Sequence, residues 1–168
     1  MSEAGEQEKS ALERLLERKK FRSDIVVIED KEEDRDSLVK VLEDSGYSVL
    51  AVKDSRKTLH VLDSQKVQWI PEAVVLDLVL SGSSGYDLLR TLITRFQLKK
   101  VPLIVVSSMS AQEDIFEAQT AGASAYVVKP FEPEDLQEAL LSALENIKKP
   151  STEQRPGIFV RRGSASRR

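Results

Sequence analysis

Four short apolar runs in the sequence each end on side chains that can do chemistry. IVVI is followed by Glu29-Asp30, AVVL by Asp77, LIVV by Ser107-Ser108 and AYVV by Lys129-Pro130. If those ends share one edge, three carboxylates, a hydroxyl and an ammonium converge. Carboxylates about 5 Å apart repel by about 3 kcal/mol per pair at an effective dielectric near 20. A divalent cation relieves that, and Mg2+ (or Mn2+) suits a site of a few carboxylate oxygens that also meets phosphate. Phosphoryl transfer asks mainly for positioning and neutralised oxygens, so an Asp nucleophile beside a metal, a lysine and a hydroxyl forms a coherent set. The loop after the first run reads EDKEEDRD. It lacks the glycines of a nucleotide-binding turn and repels phosphate unless a metal intervenes.

Each residue also has a plainer reading. Strand-end acids such as Glu29 and Asp30 commonly cap the helix that follows. Lys129 alone is an ordinary loop lysine, and Ser107 an ordinary hydroxyl. Asp77 is sharper, since a carboxylate between Leu76 and Leu78 at the end of a buried run is rarely there for packing. The joint placement of these residues carries the argument.

The elements that must position them alternate. Apolar runs at 25–28, 47–52, 73–76, 103–106 and 125–128 predict five strands, rich in Val and Ile and buried on both faces. Between them lie helical spacings: Leu38, Val41 and Leu42; Leu88, Leu89 and Leu92; and Ile115, Phe116 and Ala118 before a helix stop at Gly122. Pro133 opens the last helix, with a stripe of Leu136, Ala139, Leu140, Ala143 and Leu144. Five βα units predict an α/β sandwich with a parallel sheet covered on both faces, and ligands in such folds bind outside the carboxyl ends of the strands.

The chain of 168 residues divides into a helical extension at 1–22, a domain at 23–148 and a tail at 149–168. Residues 9–20 place Leu12, Leu15 and Leu16 on one helical face, and a helix of about 12 residues needs a packing partner. The net charge of −3 hides an asymmetry: residues 24–147 carry 12 basic against 22 acidic residues, while residues 148–168 carry 7 against 1. The acidic body disfavours nucleic acid, leaving only the basic tail for polyanions. The tail's Pro, Gly, Ser and Arg read as a flexible, solubilising segment. In another reading, Ile158-Phe159-Val160 is a docking peptide for a partner or for the domain's own output face. No apolar run is long enough to cross a bilayer and the Glu-rich start is unlike a signal peptide, so a cytoplasmic location is expected. Absent cysteine excludes thiolate chemistry, and the one histidine, His60, reads as a surface residue in the helix KTLHVLD.

Taken together, residues 24–147 resemble the receiver domain of two-component response regulators, including single-domain chemotaxis regulators. The resemblance is most specific over VPLIVVSSMSAQEDIFEAQTAGASAYVVKPF, residues 101–131. It implies a flavodoxin-like doubly wound five-stranded sheet in the order 2-1-3-4-5. It further implies Asp77 as phospho-acceptor; Glu29 and Asp30 as the acidic metal-binding pair, Asp30 the more direct ligand, with Asp77 and the backbone carbonyl of Val79 completing the metal set; Ser107 and Lys129 on the phosphoryl group; Ser107 and Tyr126 as the switch pair; and a cis peptide before Pro130. Where the family carries a Pro and an Asp-Gly after the acceptor, this chain has Ser81 and Ser84-Gly85. Val79 and Met109 flank the acceptor with apolar side chains that cannot orient a hydrolytic water, so a long-lived phosphorylated state is expected.

The expected function is a stand-alone switch, because about 20 residues after the last helix leave no room for a DNA-binding domain. A sensor histidine kinase or phosphotransfer protein would load Asp77, and a protein partner of unknown identity would read the result. The chain would be a monomer or a phosphorylation-dependent dimer, and no enzyme beyond its own phosphorylation and dephosphorylation. The alternative is a receiver-shaped scaffold acting through its head and tail. A haloacid-dehalogenase-type phosphatase is disfavoured, since that chemistry needs a second Asp where Val79 stands.

Overall fold

A computed structural model describes residues 24–64, 70–96, 100–148 and 158–162. The helix expected at 9–20 and most of the tail lie outside the described residues. Strands β1 (Ile25–Ile28), β2 (Val49–Val52), β3 (Ala73–Leu76), β4 (Leu103–Ser107) and β5 (Ala125–Val128) fall on the apolar runs, β2 starting two residues later and β4 running one residue further than expected. At the edge of the sheet, β2 is only partly buried where burial on both faces was expected. Helices α1 (Glu32–Asp44), α2 (Thr58–Ser64), α3 (Gly85–Phe96), α4 (Gln112–Ala121) and α5 (Pro133–Lys148) lie between and after them, with a 3-10 turn at Ser55–Lys57 before α2.

The sheet is entirely parallel, in the order β2-β1-β3-β4-β5-β6. The first five strands take the expected order. The sixth, Phe159–Arg162, comes from the segment read as a flexible tail and pairs with the outer edge of β5. Its sequence is Phe-Val-Arg-Arg, preceded by Ile158, in a Pro-, Gly- and Arg-rich context. Ile, Phe and Val favour strands, but what they need is an edge to join, which local composition does not reveal.

Alternate residues of each strand feed two cores. Val26, Ile28, Val74, Leu76, Val105 and Tyr126 face α2, α3 and α4, where Leu62, Leu89, Leu92, Phe96 and Ile115 cover them. Ile25, Val27, Val75, Ile104 and Val127 face α1 and α5, under Leu38, Leu42, Leu136 and Leu140. Burial of a Leu or Ile side chain stabilises by about 1.5–3 kcal/mol, so this double cover holds the strand ends still.

Local signals end the helices as expected. Gly122 takes a left-handed φ of 111° and caps α4, its N–H donating to the carbonyls of Ala118 and Gln119. Phe116 is the exception in that helix. Ile115 and Ala118 are buried, whereas Phe116 points outward at 68% exposure, because one residue on a helix is about 100° of rotation. His60 is exposed on α2, as expected.

Candidate functional site

The strand order brings the ends of β1, β3, β4 and β5 side by side, which the sequence alone left conditional. Ladder hydrogen bonds run one residue past the strands and aim the site. Asp77 N–H donates to the Ile28 carbonyl at 3.1 Å, and Lys129 N–H to the Ser107 carbonyl at 2.9 Å. The Lys129-Pro130 peptide that follows is cis.

Lys129 is the hub. Its Nζ donates to Glu29 Oε2 at 2.8 Å, Asp77 Oδ2 at 2.8 Å and Asp34 Oδ2 at 2.7 Å. Glu29 and Asp77 are buried, and Asp34 is half-buried in the first turn of α1. Burial opposes the charge on Lys129, but the bonds to Asp34, Asp77 and Glu29 outweigh it, so its pKa lies above the ordinary lysine value and the ammonium stays charged. Desolvation dominates at Glu29 and pushes its carboxyl above the usual range, against the opposing bonds from Lys129 and the Lys31 N–H.

Asp30 faces elsewhere. Its Oδ2 accepts the Ser81 N–H at 2.5 Å, and its Oδ1 is buried with no hydrogen-bond partner among the described residues. Although burial pulls the other way, the bonds from Ser81 and neighbouring charge hold its pKa below the usual aspartate value. The carboxylates that gather are thus Glu29, Asp34 and Asp77, with ligand oxygens all within 4.8 Å of one another.

Asp34 and Arg35 were not singled out from sequence. Both sit in the acidic run EDKEEDRD, where one Asp among several carries no mark of its own. Arg35 is buried, and its guanidinium donates to the backbone carbonyls of Glu29 and Asp30 at 3.3 Å each, pinning the turn that carries them.

The other expected residues fall on the same edge. Val79 N–H donates to Asp77 Oδ1 at 2.8 Å, while its side chain is 39% exposed. The loop then turns through Gly82 (φ 72°) to Gly85, where a Cβ would overlap the Leu78 backbone, so only glycine fits. Ser107 is fully buried and its Oγ accepts the Met109 N–H at 3.3 Å. Tyr126 is fully buried with its hydroxyl donating to the Met109 carbonyl at 2.8 Å. Burial raises the Tyr126 pKa, so that hydroxyl is a neutral donor. Ser107 and Tyr126 therefore share one turn of backbone at the end of β4. Beside Lys129 a groove of about 670 Å³ opens between α1 and the β5–α5 turn, lined by Asp34, Ser37, Val41, Ser108, Pro130 and Phe131.

Such a cluster of acids around one lysine, at the carboxyl edge of a five-unit βα sandwich, has a counterpart among known families. Residues 25–141 match the response regulator receiver domain. The chain belongs to that family. Among curated relatives, the two-component response regulator PhoP of Pseudomonas aeruginosa is 38% identical over 120 residues, 71% of this chain and 50% of that protein. The chain spans about half the length of such relatives. Among solved structures, a CheY-like receiver domain protein from Methanospirillum hungatei shares the fold at TM-score 0.65 and 24% identity, over 76% of this chain and 97% of that one. A beryllofluoride-activated receiver domain, DrrB, aligns at TM-score 0.62 and 27% identity, over 74% of this receiver chain and 98% of that one.

The residues present fit a divalent cation. The donor set gathered on Lys129 is all oxygen, and in the residue next to Glu29 a buried carboxylate oxygen of Asp30 has no partner among the described residues. Hard cations of the magnesium class prefer that chemistry.

Proposed function

We propose that this receiver is a phosphorylation switch that accepts a phosphoryl group on Asp77 and signals by protein contact. The observation that supports it is the convergence of Glu29, Asp34 and Asp77 on the Lys129 ammonium at the carboxyl edge of the sheet. An Asp77 oxygen attacks the phosphorus of a phosphohistidine on a sensor kinase or phosphotransfer protein. The P–O bond forms as the P–N bond breaks, and the electron pair leaves with the imidazole. The groove beside Lys129 and the exposed small side chain of Ser108 leave room for that donor to approach.

In this reading Asp30 and Asp77, with the Val79 carbonyl and the nearby Glu29, hold Mg2+ (or Mn2+). When bound, the ion neutralises charge on the phosphoryl oxygens. Lys129 holds the acids together before transfer and pairs with a phosphoryl oxygen after it. Ser107 gives up its bond with Met109 to donate its hydroxyl to another such oxygen, and Tyr126 repacks with it. Phosphorylation adds charge and acceptor oxygens at one point, and the surface formed by β4, α4, β5 and α5 carries the two-state response. The receiver catalyses nothing beyond its own loading and unloading, and its proposed address is cytoplasmic.

Incubation with acetyl phosphate or phosphoramidate and magnesium tests this on a phosphate-retarding gel. The wild type shifts and Asp77→Asn does not. A shift that persists in Asp77→Asn removes Asp77 from its role. No shift in the wild type favours a receiver-shaped scaffold, a reading that gains some ground from the tail strand seated on β5.

A further inference from the structure

The sixth strand lies beyond residue 141, where the family match ends. Its register ties it to the switch residues. Val105, Tyr126 and Val160 stand in one row across β4, β5 and β6, and Ser107, Val128 and Arg162 in another. Ile158 and Val160 pack onto the core that contains Tyr126, and Phe159 onto the opposite core. Arg161 pairs with Glu138, approaches Asp135 at 4.0 Å and lies over the Phe159 ring at 5.7 Å. The apolar edge of β5 and the acidic flank of α5 thus meet a segment complementary to both.

Topology does not hold that segment in place. The crossovers that lead toward the β5 side of the sheet carry α2, α3 and α4 on one face, whereas the connection from β5 to β6 carries α5 on the other. It therefore has the opposite hand from its neighbours, the hand seen in only about 2% of parallel crossovers. Nine residues, 149–157, separate α5 from Ile158. The Arg161–Glu138 pair is partly exposed, so solvent screens it and its contribution is modest. A four-residue edge strand with this support belongs at the low-stability end of the fold, where local opening occurs.

We propose that the β5 edge with the acidic flank of α5 is a docking surface whose occupant is the chain's own segment 158–162, and that its occupancy is coupled to the state of Asp77. The coupling rests on the reading of Asp77 as phospho-acceptor. With β6 seated, the row from Val105 through Tyr126 to Val160 is complete and the Tyr126 ring is wholly enclosed. Loading Asp77 draws Ser107 toward the phosphoryl oxygens and away from the Met109 turn, which enlarges the space holding the Tyr126 ring. A seated strand and a loaded site then favour the same inward ring, so each strengthens the other. Linkage makes the two effects equal in size.

Hydrogen exchange on the full-length chain tests this, comparing magnesium alone with magnesium plus beryllofluoride as phosphoryl mimic, with phosphorylation by acetyl phosphate scored separately by intact mass. Amides of residues 159–162 are expected to exchange about fivefold more slowly when the site is loaded. Arg161→Glu should speed their exchange and weaken beryllofluoride binding by a similar factor, and adding Glu138→Arg should restore both. That rescue separates coupling from a merely structural strand, because Arg161 and Glu138 are not among the residues of the site. Loading with unchanged or faster exchange at 159–162 overturns the coupling alone. Failure to load overturns the phospho-acceptor reading and the coupling with it.

Discussion

Replacing Lys129 with methionine tests the electrostatic account of the site most directly. In the folded chain Nζ lies within 2.8 Å of three carboxylate oxygens, and those acids offer oxygens within 4.8 Å of one another. At that separation and an effective dielectric near 20, each pair of negative charges repels by about 3 kcal/mol. Asp34 is 38% exposed at its side chain, so solvent screens its share; Glu29 and Asp77, at 0% and 2%, have no such relief. Lys129→Met therefore destabilises the magnesium-free protein at neutral pH by about 3 kcal/mol, in line with breaking a buried ion pair. For a domain of this size, that lowers Tm by roughly 6–12 °C. Thermal unfolding followed by far-UV circular dichroism, in chelator and in saturating magnesium, measures it. Magnesium should raise Tm more in the variant than in the wild type, because the ion replaces a missing charge instead of competing with one. An equal deficit with and without magnesium, or no deficit in chelator, would refute the reasoning.

Three further outcomes follow from named residues. The Glu29 carboxyl is raised above its usual 4.5, so the folded state holds that proton more firmly than the unfolded one. Magnesium-free stability should then fall as pH rises from that value toward neutrality, and Glu29→Gln should flatten the slope in urea melts. Asp30 has the opposite sign, and its contribution is lost only as pH falls below 3.8, so the two windows do not overlap. Gly85→Ala puts a Cβ into the Leu78 backbone and should destabilise by about 1–3 kcal/mol in the same melts; a neutral result would mean that the α3 start shifts freely. The apolar Val79 and half-buried Met109 cannot orient a hydrolytic water, so the phosphorylated protein should persist for minutes or longer with magnesium, and a half-life of seconds by phosphate release would sink that expectation.

Much of the fold and part of the site are legible in the sequence, and the reason is locality. Uniform Val and Ile runs identify buried strands, and Gly122 and Pro133 mark helix ends, because each depends on neighbours within a turn or two. A residue placed directly after a strand must emerge at the carboxyl edge, so Glu29, Asp77, Ser107 and Lys129 could be read as one group. Three features depended on the tertiary structure. Asp34, rather than Asp30, meets Lys129, because the β1–α1 turn, pinned by Arg35, swings one acid inward and turns the other to Ser81. Phe116 points to solvent despite its apolar character, since the face of α4 that meets the sheet is set by Ile115 and Ala118. The tail becomes a strand because β5 offers an unpaired edge and α5 an acidic flank, and neither surface exists until the chain has folded.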